Sequence, residues 1–253
     1  MAAEQTIDAL GQFRLSPVLG PVGTGLYFSQ SSLMMLIGAI VVLFIMYAGM
    51  RARAIVPDRM QAAAELAYDF VYKMCIDQIG PEGKRYFPFV FTLFFFVLFG
   101  NLAGLLPFSF TYTAHIAVTG ALAVMVVVAV TVIALRIHGW RFFGYFLPHG
   151  APIFLAPLIV VIEVISYLSR IISLSIRLFA NMVAGHVMFE VFASFILMLA
   201  ASHALGWFGP VMAVGPLALN VVLVGFELLV ACLQAYVFAV LTCIYLHDAV
   251  HLH

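Results

Sequence analysis

An arginine, Arg177, lies near the middle of the apolar segment 152–201. A guanidinium is not deprotonated in proteins, and a permanent charge inside hydrocarbon is unfavourable unless it has a partner or a task. Ser173, Ser175 and Asn181 accompany it, so that a polar stripe runs along an otherwise hydrophobic helix. We therefore expect this stripe to face a partner or an aqueous path.

The composition indicates the class of protein. Hydrophobic residues make up 65% of the 253 residues and charged residues only 9%, which is the composition of an integral membrane protein. The formal net charge is zero, which argues against nucleic acid as a partner. Cys75, Cys232 and Cys243 are scattered without the spacing of a metal or redox site, so no cofactor is expected.

Basic residues predict the topology of the first half of the chain. The first predicted span, 32–50, is followed at once by Arg51 and Arg53, which places that end inside and the segment 1–31 outside. Charged and apolar residues then mix over 57–79, which predicts an amphipathic helix at the cytoplasmic surface. Its apolar residues recur at helical spacing, namely Leu66, Phe70, Val71 and Met74.

Two further spans follow. Lys84 and Arg85 precede the span 86–107, which crosses from inside to outside. The span 115–135 returns to the inside, because Arg136 follows it directly.

The last two apolar segments, 152–201 and 211–247, are each too long for one upright span. The first would be about 75 Å long as a helix, against about 30 Å of hydrocarbon. Dividing it into two spans would put Arg170 and Arg177 in an outer loop, against the pattern of the other basic loops. We therefore predict an all-α polytopic membrane protein with about five membrane-inserted helices and one surface helix. The last two helices are long and strongly tilted, form an antiparallel hairpin, and leave the C-terminus cytoplasmic.

Polar residues of the two long helices fall into opposed pairs. In an antiparallel hairpin, the numbers of two residues that face one another add up to a nearly constant total. Three pairs meet this condition: Glu163 with Asp248 towards the cytoplasm, Arg177 with Gln234 at the middle, and His186 with Glu227 towards the outside. Carboxylates therefore lie on both sides of one fixed cation.

This arrangement suits proton translocation. Carboxylates and histidine exchange protons when burial brings their pKa values near neutrality, whereas arginine stays charged and blocks a proton. Two half-pathways separated by an arginine barrier follow, and a mobile carrier from another chain must take the proton past Arg177.

The motif around Arg177 resembles subunit a of F-type ATP synthases. Residues 173–186 read Ser-Leu-Ser-Ile-Arg-Leu-Phe-Ala-Asn-Met-Val-Ala-Gly-His, and Glu227 and Gln234 follow in the next helix. The resemblance is close over the C-terminal hundred residues. In the preceding spans the resemblance is in their arrangement along the chain, and it includes the segment Gly-Asn101-Leu near the end of the span 86–107.

The resemblance implies a role for each residue in this motif. Arg177 faces the carboxylate of each passing c subunit, keeps it deprotonated and prevents a short circuit between the half-channels. The implied supporting residues are His186 and Glu227 on the outer path, Glu163 and Asp248 on the cytoplasmic path, and Asn181, Ser173 and Gln234 around water and the guanidinium. Asn101 either makes a helix–helix hydrogen bond or lines the outer path.

The resemblance also implies partners and a location. The partners are the c-subunit ring, b-type subunits of the peripheral stalk, other ATP synthase subunits, the lipid bilayer and protons. The location is a bacterial inner membrane or, alternatively, a mitochondrial one, and the subunit is not catalytic alone. The order of His186 before Glu227 is typical of alphaproteobacterial and mitochondrial forms. Gly104 stands where some bacterial members carry Asp, so no role is carried over to that position.

Two other classes of membrane subunit remain as alternatives. A haem-bearing electron-transfer subunit needs paired histidines inside facing helices, and only His186 of the eight histidines is deep. A secondary transporter is expected to show an inverted repeat and helices broken at mid-membrane, and neither is apparent.

Overall fold

The computed structural model describes residues 17–22, 26–51, 57–106, 111–146, 155–201 and 208–251. Two short antiparallel strands, β1 (Pro17–Val22) and β2 (Leu26–Ser29), pair with each other before the first helix. The sequence did not predict this hairpin. The rest of the predicted outer segment 1–31, apart from Gln30 and Ser31, lies outside the described residues.

Six long α-helices make up most of the described chain. They are α1 (Gln30–Arg51), α2 (Arg59–Ile79), α3 (Gly83–Ala103), α4 (Ile116–His138), α5 (Ala156–Ala200) and α6 (Phe208–Val250). All except α2 are long and apolar enough to cross a membrane. The backbone N–H and C=O groups of a helix bond to each other, so they need no partner from the hydrocarbon, which has none to offer. This confirms the predicted class, a polytopic protein whose membrane part is built from five long apolar helices.

Several helix ends differ from the predicted ones. The third helix ends at Ala103 rather than Pro107, because Gly104 begins a turn. The fourth continues to His138, and Gly139 then adopts φ 58°, a left-handed conformation that favours glycine and ends a helix. The last helix begins at Phe208 rather than at residue 211. Pro210 is tolerated there because the first turn of a helix leaves its N–H groups unbonded.

The helix α2 occupies most of the segment 57–79 that was predicted to form an amphipathic surface helix. Of its four apolar residues named above, Val71 and Met74 are buried within the protein, whereas Leu66 is 73% exposed and Phe70 is also exposed. The helix α2 packs against α1, α3 and α6, and its buried residues are Gln61, Ala64, Val71, Met74, Cys75 and Ile79.

The core of the protein surrounds the second half of α6, which packs against α2, α3, α4 and α5. Three alanines at one-turn spacing, Ala231, Ala235 and Ala239, are completely buried, and we call them the alanine ladder. Small side chains at these positions let neighbouring helices come close to the backbone of α6.

The two long helices form the predicted hairpin. α5 has 45 residues and is continuous, so its length is about 68 Å, more than twice the hydrocarbon thickness of about 30 Å. We call the end at which α5 stops and α6 starts the closed end, and the opposite end the open end. The residues 202–207 between the helices lie outside the described chain.

A 3₁₀ turn, Tyr112–Ala114, precedes α4 and is fixed to α3. The Tyr112 side chain is completely buried and its hydroxyl donates a 2.6 Å hydrogen bond to the Phe96 carbonyl. Its ring lies against Gly100, where a Cβ would be only 2.5 Å from the Tyr112 Cζ. Glycine at this position therefore permits the turn to dock.

We expect Gly100→Ala to destabilise the fold by about 1–3 kcal/mol, because the added methyl forces the Tyr112 ring away from α3. Thermal unfolding in detergent, followed by circular dichroism, measures the effect. The matched control is Gly215→Ala on α6, where a Cβ meets nothing within 4 Å. Equal unfolding temperatures for the two variants would contradict the proposed contact.

Candidate functional site

Arg177 lies on an exposed face of α5. Ser169, Ser173 and Arg177 follow one another at one-turn spacing and are all exposed, whereas Leu174 and Leu178 on the other face are buried in the core. Burial of that face therefore turns the guanidinium outwards. Within the described part of the chain, the guanidinium of Arg177 makes no hydrogen bond or ion pair.

Gln234, which was predicted to face Arg177, is buried on α6. No hydrogen bond joins the two side chains in the described structure. Ser173 is exposed beside Arg177, and Asn181, one turn further along α5, is half-buried. The polar stripe thus runs from the surface of the hairpin into the space between its two helices.

His186 and Glu227 are brought together near the closed end. The His186 Nδ1 atom lies 3.6 Å from the Glu227 Oε1 atom, and both side chains are largely buried. A Cβ at Gly185 would be 2.5 Å from the same carboxylate oxygen. Glycine at this position therefore lets the carboxylate of α6 lie against the backbone of α5.

Thr111 makes a second contact with His186. The Thr111 hydroxyl is 2.8 Å from the His186 Nε2 atom, and the threonine is buried. Gly104 lies beside this pair, since a Cβ there would be 2.8 Å from Nε2 and closer still to the hydroxyl. The sequence analysis missed Thr111, which precedes a short turn and belongs to no periodic pattern.

A cleft of about 150 Å³ separates α5 from α6 next to this cluster. Asn181 and Glu227 both line it. The Asn181 amide nitrogen and both Glu227 carboxylate oxygens are buried and have no hydrogen-bond partner among the described residues. The other side chains that line the cleft are apolar, and its volume has room for several water molecules beside these polar groups.

Asn101 joins α3 to α6. The side chain is 1% exposed, and its amide donates a 3.2 Å hydrogen bond to the carbonyl of Ala231. Of the two roles considered from the sequence, the structure contains the helix–helix hydrogen bond. The Asn101 Oδ1 atom has no partner among the described residues.

At the open end, the predicted facing of Glu163 and Asp248 is replaced by another pair. Arg170 forms an ion pair with Asp248, with 3.4 Å between Nη2 and Oδ2, and its guanidinium also lies over the rings of Tyr167 and Tyr245. Helical side chains lean towards the N-terminus of their own helix. On α5 this leaning is towards the open end, so the long Arg170 side chain reaches Asp248 from a position further along the helix. Glu163 is half-buried and forms no ion pair with the described residues.

Glu190 is a further carboxylate that the sequence analysis left out. It lies one helical turn beyond His186 on α5, and its Oε2 atom is buried without a partner among the described residues. The one-turn spacing from His186 was a signal that could have identified it. In the described residues, no group of three or more His, Cys, Asp or Glu side chains is placed to hold a metal ion.

Comparisons with known proteins agree on one family. Residues 32–247 match the family model described as ATP synthase A chain. The chain is 66% identical to ATP synthase subunit a of Granulibacter bethesdensis over the full length of both chains. It is 54% identical to that of Acidiphilium cryptum, again over both full lengths. It is 47% identical to that of Rhodospirillum rubrum over 96% of this chain and 98% of the relative.

The geometry predicts which cysteine pairs can be linked in a chain whose three native cysteines are replaced by serine. A short bifunctional thiol reagent should link His186→Cys to Glu227→Cys, because these side chains face one another. Glu163→Cys and Glu227→Cys, which lie near opposite ends of the hairpin, should not be linked. Mobility shifts on denaturing gels measure the yields. Efficient linkage of Glu163→Cys to Glu227→Cys, or none between His186→Cys and Glu227→Cys, would contradict the helix register described above.

Proposed function

Because this chain belongs to the ATP synthase subunit a family, we propose that it conducts protons through two offset half-channels to a rotating ring of c subunits, with Arg177 as the barrier between them. The observation that carries this proposal is the exposure of Arg177 between two separate groups of titratable side chains. The haem-bearing and transporter alternatives are not favoured, since the family accounts for the whole span 32–247.

The exposed position of Arg177 supports a partner that carries negative charge. Its face of α5 is otherwise made of apolar and small residues, and this helix is apolar enough to lie within a membrane. An arginine that faces hydrocarbon is unfavourable by several kcal/mol, and a carboxylate from another chain removes that penalty. A membrane-embedded carboxylate on each c subunit is a partner of this chemistry.

The two groups of titratable residues lie at different depths. Along α5, His186 is about 14 Å from Arg177 towards the closed end, and Glu163 is about 21 Å from it towards the open end. Glu227, Asn181 and the cleft belong to the first group, and Asp248 belongs to the second. Because a guanidinium does not release its proton, no direct proton path runs through Arg177. A proton therefore passes between the groups only on a carrier that moves past the arginine.

The remaining polar residues support these paths. We propose that Ser173 and Gln234 position the guanidinium and the water next to it, and that Asn181 lines the cleft on the side of Glu227. Asn101 holds α3 against α6 at the level of the Ala231 carbonyl. This hydrogen bond keeps the wall of the outer path in place.

Partners and orientation follow from the family and from charge. We propose contacts with the c ring, with b-type peripheral-stalk subunits and with other ATP synthase subunits, in the inner membrane of a bacterium. Arg51, Lys84, Arg85 and Arg136 lie at the same side of their spans, which supports a cytoplasmic open end and C-terminus and an outer closed end. ATP chemistry belongs to other subunits of the complex.

We expect Arg177→Lys to reduce proton-driven ATP synthesis to below about a tenth of the unmodified rate, because an ammonium lacks the planar fork of a guanidinium and is neutralised more readily when desolvated. ATP hydrolysis by the assembled complex should persist. Synthesis in energised membrane vesicles and hydrolysis in detergent are the two measurements. Synthesis near the unmodified rate would overturn the requirement for a forked, permanent charge.

We expect Arg177→Gln to raise passive proton leak, since the barrier between the two groups is removed while the carboxylates remain. The membrane potential is worth about 2.3 kcal/mol per elementary charge per 100 mV, so the leak dissipates the energy for synthesis. Proton flux through reconstituted membrane sectors without the soluble ATPase measures it. Arg170→Gln, which removes a second arginine of α5 that is paired with Asp248, is the matched control. If the membrane sector with Arg177→Gln conducts protons no faster than this control, the barrier role of Arg177 is contradicted.

A further inference from the structure

Thr111 and Glu227 contact opposite edges of the His186 ring. The threonine hydroxyl lies 2.8 Å from Nε2, and the carboxylate Oε1 lies 3.6 Å from Nδ1. Thr111 is 6% exposed and lies outside the hairpin that carries the other two side chains. The imidazole therefore connects a hydroxyl on the α3–α4 connection with a carboxylate on α6.

The position of Thr111 is fixed by its neighbours. Its carbonyl accepts a 3.2 Å hydrogen bond from the Ala114 N–H, which closes the 3₁₀ turn. The next residue, Tyr112, is buried and bonded to Phe96 of α3. Gly104 leaves space for the hydroxyl, because any side chain there would enter the gap between Thr111 and His186. The hydroxyl is thus held at a fixed place relative to α3 while the ring belongs to α5.

A hydroxyl at this place suits a ring that gains and loses protons. A neutral imidazole has one donor and one acceptor nitrogen, and an imidazolium has two donors. While a proton leaves or joins Nδ1, Nε2 keeps its own hydrogen and donates it to the threonine hydroxyl, since loss of both protons would leave an imidazolate. His186 can therefore exchange a proton at Nδ1, on the side of Glu227, without turning its ring or leaving Nε2 unpaired.

We propose that Thr111 is a positioning residue for His186, which keeps Nδ1 directed towards Glu227 through each change of protonation. This inference rests on the proposed function, in which His186 and Glu227 exchange protons on the outer path. It adds a residue that lies on neither helix of the hairpin.

Thr111→Val is the direct test, because it keeps the shape of the side chain and removes the hydroxyl. We expect proton-driven ATP synthesis by the complete complex in vesicles to fall about fivefold to tenfold, the effect of losing one buried hydrogen bond. Thr111→Ser, which keeps the hydroxyl, should retain most of the unmodified rate. If the valine variant fails to assemble, Thr111→Ala removes the same hydroxyl without a second methyl group and takes its place.

The matched control is Thr113→Val. Thr113 is completely buried in the same turn, and its hydroxyl has no hydrogen-bond partner among the described residues. This variant should leave synthesis near the unmodified rate. Equal rates for Thr111→Val and Thr113→Val would overturn the proposal.

A double variant separates positioning of His186 from a general effect on folding. In a chain that already carries His186→Ala, adding Thr111→Val should cause no further loss of the residual rate. A further loss as large as in the unmodified chain would assign Thr111 a structural role and overturn the proposal. Full synthesis by His186→Ala alone would instead remove the outer path of the proposed function, and the positioning role with it.

Discussion

The orientation of Arg177 depends on the packing of one face of α5. Leu174, Leu178 and Met182 are buried, and the same turns of helix leave Ser173 and Arg177 on the other side. Inside a membrane the gain from burying these side chains is close packing rather than removal from water, and the three contacts together define the rotation of the helix. A rotation that hid Arg177 would expose these leucines and bury an unpaired charge. The guanidinium is therefore positioned by the apolar residues next to it, without a hydrogen bond or ion pair of its own in the described structure.

Close approach of backbones builds the group of polar residues near the closed end. Gly185 lets the Glu227 carboxylate rest on α5, and Gly104 leaves space where Thr111 meets His186. Both glycines are helical or in an ordinary turn conformation, so their contribution is the absence of a side chain. Polar groups from three parts of the chain thereby share one site inside an apolar protein.

Hydropathy and charge were sufficient to predict the five apolar helices, because a membrane requires long helices of low charge. The constant sum of residue numbers correctly predicted that His186 faces Glu227, because both helices are continuous around these residues. The same rule failed for Glu163 and Asp248, because it follows backbone positions and ignores the reach of Arg170. Thr111 and the strands β1 and β2 lie in short segments where no period develops.

The alanine ladder of α6 has a mechanical consequence. In the function proposed above, this stationary subunit meets a turning ring at the exposed face of α5 and is subject to torque there. Close-packed helices have low compressibility, so a force on α5 passes through the backbone of α6 to α3 and α4 with little deformation. Ala231, Ala235 and Ala239 are completely buried and have no flexible side chain that could yield. The stiffness of the stator against the ring is thus a property of its smallest buried residues.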